Sequence, residues 1–136
     1  MEGENLFTMT KSTALGLLEL SASFKKLKPD IVFTIGDRYE TLATTIAASY
    51  SNIFLCHLQG GELSGSIDES VRHAVTKFSN LHLVATKRSK KIVEQMGENP
   101  KMVFNVGCPS IDIIKRINFK QKLDLLKYKG GIGSLV

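Results

Sequence analysis

The residues whose types and spacing could do chemistry lie in one run, His57-Leu58-Gln59-Gly60-Gly61-Glu62-Leu63-Ser64-Gly65-Ser66-Ile67-Asp68-Glu69-Ser70-Val71-Arg72-His73. Carboxylates, an amide, a guanidinium and imidazoles stand together there beside adjacent glycines. Burying such charges costs several kcal/mol each unless every one finds a partner. A chain that concentrates them next to backbone-permissive Gly60 and Gly61 is building a ligand pocket rather than a surface loop. A second group, Gly36-Asp37-Arg38, lies upstream. Asp37 either caps the next helix or faces a ligand. Arg38 beside a helix N-terminus adds a guanidinium to free backbone donors, a combination that suits a phosphate-sized anion. If Glu62 and Glu69 share a low-dielectric site with Asp37, mutual repulsion should raise at least one pKa toward the range useful for proton transfer.

Each of these residues also has a plainer role open to it. Asp68 to Arg72 and Glu69 to His73 are both i,i+4 spacings, which on an exposed helix face give ion pairs worth a few tenths of a kcal/mol. Gly60-Gly61 serves either close approach to a ligand or an ordinary turn. His57 closes a strand and either orients a ligand, acts as an acid, or forms a hydrogen-bonded wall. His82 lies inside an apolar strand and reads as structural.

Alternating elements must position these groups. Thr10 to Lys28 carries apolar residues at helical spacing until Pro29 ends it, and Asp30 to Ile35 is a β-branched and aromatic run. The alternation continues with helix 40–50, strand 53–58, helix 66–78, strand 81–85, helix 87–96 closed by Gly97, strand 103–106, and a last helix from Ile111 to about Phe119 capped by Ser110. Strands that are continuous apolar runs separated by helices predict an α/β fold, a parallel Rossmann-like sheet with helices on both faces. Ligands of such sheets bind beyond the carboxyl ends of the strands. Gly36-Asp37-Arg38, Gln59-Gly60-Gly61-Glu62, Thr86 and Gly107-Cys108-Pro109-Ser110 all follow strands in this way.

At 136 residues the chain fits one lobe. Its net charge of +5 is accounted for by residues 115–129, which hold six basic side chains against one acid, so the body is neutral. A basic tail on a neutral body is a solvated helix face, and nucleic acid is not an expected partner. Cys56 and Cys108 have neither metal nor disulfide spacing, and no metal or cofactor is expected. With no apolar span and no signal pattern at Met1 to Asn5, no membrane is expected either, and the cytoplasm is the expected compartment.

Gly36-Asp37-Arg38-Tyr39-Glu40, the run from His57 to Lys77, and Val106-Gly107-Cys108-Pro109-Ser110-Ile111-Asp112 together resemble the hydrolysing UDP-N-acetylglucosamine 2-epimerases of sialic-acid and related nonulosonic-acid synthesis. The long middle motif is specific; Gly-Asp-Arg alone is not. The resemblance implies a two-lobed glycosyltransferase-B-type fold closing on a UDP-sugar, of which 1–119 is a partial N-terminal lobe and 120–136 a basic tail. It implies that Asp37 and Glu69 serve the proton transfers at sugar carbon 2 and that Arg38 holds the nucleotide diphosphate. Gln59 stands where other branches carry a glutamate, which makes Glu62 a candidate substitute. His57, Gly60, Gly61, Ser64, Asp68 and Arg72 complete the expected substrate-binding set. The implied reaction eliminates UDP and hydrates the resulting glycal to N-acetylmannosamine or a related sugar, in an enzyme that is a homo-oligomer at full length. A non-hydrolysing 2-epimerase and a non-enzymatic flavodoxin-like binding module are the rival expectations.

Overall fold

The computed structural model describes residues 5–116. Helix α1 spans Leu6–Leu27 and starts earlier than its apolar period suggests, because the Asn5 side chain accepts the Thr8 N–H at 2.9 Å and so caps the first turn. Lys28 in the left-handed region, with φ 49°, ends it ahead of Pro29. The elements that follow are β1 (Ile31–Ile35), α2 (Tyr39–Tyr50), β2 (Phe54–Leu58), α3 (Ile67–Phe78), β3 (Leu81–Val84), α4 (Lys87–Gln95), a 3-10 turn (Pro100–Met102), β4 (Val103–Asn105) and α5 (Pro109–Arg116). Helix α5 starts at Pro109, which suits a first helical position because it has no N–H to lose, so Ser110 lies inside the helix and is not its cap. The expected basic tail, 120–136, lies outside the described residues.

All four strands are parallel and run in sequence order, β1-β2-β3-β4, with Phe33 opposite Cys56, Thr34 opposite His57, and His57 opposite His82. Successive right-handed crossovers in one direction put α2, α3 and α4 on the same side. The core forms there, from Ala47, Ala48, Leu55, Val75, Val84, Val93 and Val103, all at most 2% exposed. Helices on both faces were expected; among the described residues they cover one. Phe33 and Ile35, 57% and 61% exposed, belong to the other face together with Ile31, Phe54 and Phe104. Helix α1 packs on α2 rather than on the sheet, and Gly16 permits that approach, since a Cβ there would lie 3.4 Å from the Cβ of Ala43.

Candidate active site

The ladder of the sheet continues one step past the strand ends. Gly36 N–H donates to the Leu58 carbonyl at 3.0 Å, Gln59 N–H to Leu83 at 2.9 Å, and Val106 N–H to Val84 at 3.0 Å. The turns after β1, β2 and β4 therefore leave from one edge, as the sequence predicts. Gly36 needs its φ of 74° to start the first of them.

Arg72 organises this edge. Helix α3 buries Arg72, Val75 and Thr76, so the guanidinium is on its inward face. One terminal nitrogen forms a short ion pair with Asp37 and the other donates to the Glu62 carbonyl at 2.5 Å. The Arg72 side chain is 8% exposed and that of Asp37 23%. Asp37 is thus no helix cap; Arg38 occupies the N-cap position of α2 and makes no side-chain cap bond. Nor is Asp68 the partner of Arg72, because it accepts a 3.4 Å bond from the Ser66 hydroxyl instead. The other expected i,i+4 pair exists, with His73 Nε2 at 3.9 Å from Glu69.

Glu69 holds the connecting loop. One of its carboxylate oxygens accepts the Ser64 N–H at 2.6 Å and the Gly65 N–H at 2.8 Å. Those donors, Gly65 first, hold its pKa below the ordinary carboxylate value. Repulsion between carboxylates was expected to raise a pKa, but in this arrangement Glu69 faces backbone donors and His73 rather than another carboxylate. The Glu62 carboxylate is exposed and makes no hydrogen bond or ion pair among the described residues. The Ser64 hydroxyl faces that of Ser66 at 3.4 Å.

His57 forms a hydrogen-bonded wall. It is fully buried, with Nε2 2.9 Å from the Gly36 carbonyl and Nδ1 3.1 Å from the Thr76 hydroxyl. The carbonyl can only accept, so Nε2 carries the proton and Nδ1 accepts from Thr76. Burial pushes its pKa from 6.5 down to about 4. Both ring nitrogens are therefore occupied by the protein. The glycines beside it are also internal. A Cβ on Gly60 would lie 3.0 Å from His57 Nδ1 and from Thr76 Oγ1, and one on Gly61 would lie 2.4 Å from the Ser89 carbonyl oxygen. Gly60 and Gly61 thus give close approach to α3 and α4.

Arg38 remains available. Its side chain is 71% exposed, bonded at 3.2 Å to Glu40 on the same turn and stacked near Tyr39. Gln59, with a left-handed φ of 64°, donates from Nε2 to Cys108 Sγ at 3.6 Å. That contact joins the β2 and β4 turns, and sequence spacing gave no hint of it. The Cys108 thiol also receives the Ser110 amide at the start of α5, which lowers its pKa. Thr76 was likewise missed; its signal is the period that groups it with Arg72 and Val75 on one face of α3.

Residues 2–131 match the UDP-N-acetylglucosamine 2-epimerase family. The chain belongs to that family. It is 42% identical over 128 residues to a GDP/UDP-N,N'-diacetylbacillosamine 2-epimerase (hydrolyzing) of Campylobacter jejuni, aligning 93% of this chain with 33% of the relative. The corresponding Legionella pneumophila UDP-N,N'-diacetylbacillosamine 2-epimerase (hydrolyzing) is 46% identical over 107 residues, 79% of this chain and 28% of its own length. Among solved structures, a UDP-N-acetylglucosamine 2-epimerase superposes with a TM-score of 0.77 at 27% identity over 85% of this chain and 33% of the other. The 2-epimerase fold is thereby confirmed, and the chain spans about a third of the length of the relatives it matches. No helix among the described residues is long and apolar enough to cross a membrane.

Proposed function

We propose that the protein containing this chain is a hydrolysing UDP-sugar 2-epimerase that converts a UDP-N-acetylhexosamine into UDP and a free 2-epimerised sugar. The observation that carries this is the Asp37–Arg72–Glu62 junction at the sheet's carboxyl edge. It brings the Gly-Asp-Arg turn and the long middle motif into one site within a family of 2-epimerases. Identities of 42% and 46% to enzymes named as hydrolysing favour that branch over the non-hydrolysing one. The family match likewise supports an enzyme over a non-enzymatic module.

In this reading a carboxylate removes the proton from sugar carbon 2 while the bond from carbon 1 to the UDP oxygen breaks. A carbon 1–carbon 2 double bond forms and UDP leaves with the bonding electron pair. Water then adds its oxygen to carbon 1, and carbon 2 is reprotonated on the opposite face. Asp37 and Glu69 are assigned the proton transfers, with Glu62 as the unpaired reserve where Gln59 replaces a glutamate. Arg38, exposed at the start of α2, takes the diphosphate beside a helix end that no N-cap side chain covers. Ser64, Asp68 and Gln59 complete the sugar-facing rim, and Arg72 keeps Asp37 in place. The full-length enzyme is proposed to be a homo-oligomer of the cytoplasm.

Incubating the full-length enzyme with UDP-N-acetylglucosamine, and separately with its diacetamido relative, tests the reading by NMR of the products. Free UDP with a free manno-configured sugar supports it. Recovery of UDP-linked epimer alone assigns the non-hydrolysing branch.

A further inference from the structure

The Gly-Asp-Arg turn is held at its first carbonyl by a side chain from the neighbouring strand. His57 Nε2 lies 2.9 Å from the Gly36 oxygen, and its other nitrogen is tied at 3.1 Å to Thr76 on α3. Gly60 closes over this pair with no room to spare. Gly36 immediately precedes Asp37 and Arg38, and Asp37 is in turn gripped by Arg72 from the same helix that carries Thr76. The turn is thus fixed at two consecutive residues by groups that both refer back to α3: Gly36 through His57 and Thr76, Asp37 through Arg72.

We propose that His57 is a positioning residue of the epimerase reaction, locking the Gly36 carbonyl so that Asp37 and Arg38 keep their places relative to α3. The proposal rests on the 2-epimerase reading. It assigns His57 no proton in the reaction and no contact with substrate, because the protein already occupies both ring nitrogens.

Two substitutions separate the two bonds of the ring. Gln at position 57 places an amide N–H near the old Nε2 and can still donate to Gly36, whereas Asn reaches only as far as Nδ1 and can keep Thr76 alone. Asn removes one methylene more than Gln and leaves the larger void, so a merely structural histidine predicts a greater stability loss for Asn but equal kcat per folded enzyme, and kcat is therefore referred to the folded fraction. In the full-length enzyme, His57→Asn should lose at least about tenfold more kcat than His57→Gln at similar KM, because small displacements of a reacting group are costly. The pH profile of His57→Gln should keep the wild-type shape. Equal kcat losses, or an acid limb that disappears in His57→Gln, overturn the proposal.

Two further readouts do not depend on activity, and the first needs no variant. In wild-type enzyme the imidazole nitrogen shifts should show the proton on Nε2; a proton on Nδ1 overturns the proposal. Deuterium uptake at 36–39 should be faster in His57→Asn than in His57→Gln, and equal uptake overturns it. If the wild-type enzyme releases no UDP, the functional reading fails on its own account while these two readouts still decide the positioning role.

Discussion

Replacing Arg72 by Met keeps most of the volume of the side chain and removes its charge. Two partners are stranded: the Asp37 carboxylate, and the Glu62 carbonyl that accepts at 2.5 Å. Breaking a buried ion pair from one side costs about 3–5 kcal/mol, and one charge-assisted hydrogen bond about 1.5–3 kcal/mol. Asp37 is 23% exposed, so water recovers part of the loss on its side. The expected destabilisation is therefore about 2–3 kcal/mol, a fall of about 4–12 °C in melting temperature at about 2–4 °C per kcal/mol. Turnover should fall by at least about a hundredfold, since the freed carboxylate no longer keeps its place. A double-mutant cycle isolates the pair. Asp37→Asn and Arg72→Met, alone and together, measured by thermal unfolding and by UDP release, should show the second substitution costing far less once the first is present. Effects that add to within about 0.5 kcal/mol would mean the two side chains do not interact, and the account of this junction would be wrong.

Gly61→Ala should destabilise the fold by more than about 2 kcal/mol in chemical denaturation, because the new methyl meets the Ser89 carbonyl oxygen at 2.4 Å on a backbone with φ 77°. Glu69→Gln should lower the melting temperature at neutral pH. The folded-state pKa of Glu69 is depressed, so its contribution is present above the ordinary 4.5 and lost as pH falls through the folded value; the gap between variant and wild type should close there. For His57 the buried neutral form is favoured, so stability is full above 6.5 and falls between 6.5 and about 4. That displacement corresponds to about 3 kcal/mol at about 1.36 kcal/mol per pH unit, and His57→Gln should flatten this part of the acid-unfolding curve. Arg38→Ala should raise KM for the UDP-sugar together with a loss of turnover, by the roughly 1.5–3 kcal/mol of one charge-assisted contact, with little change in melting temperature.

The strands and helices were legible because their signals are local. Ile31–Ile35 is an unbroken β-branched and aromatic strand, and Pro29 and Gly97 mark helix ends that the structure repeats to within a residue or two. The placing of the turns on one edge followed from the parallel topology alone. What escaped were contacts made between elements. Helical spacing pairs Arg72 with Asp68, but the side chain points inward with Val75 and Thr76 and finds Asp37, 35 positions away. His57 showed a polar group in an apolar strand without showing that Gly36 and Thr76 fill both its nitrogens. Gly60 and Gly61 signalled close approach without saying to what, and the answer is α3 and α4. That the described helices lie on one sheet face follows from strand order, which no single strand encodes.

Product analysis tests the central claim most directly. Full-length enzyme given a UDP-N-acetylhexosamine in deuterium oxide should yield free UDP and a free sugar of inverted configuration at carbon 2, with solvent deuterium at that carbon. A product that is still UDP-linked, or a free sugar that keeps its original configuration and its hydrogen at carbon 2, would contradict the account.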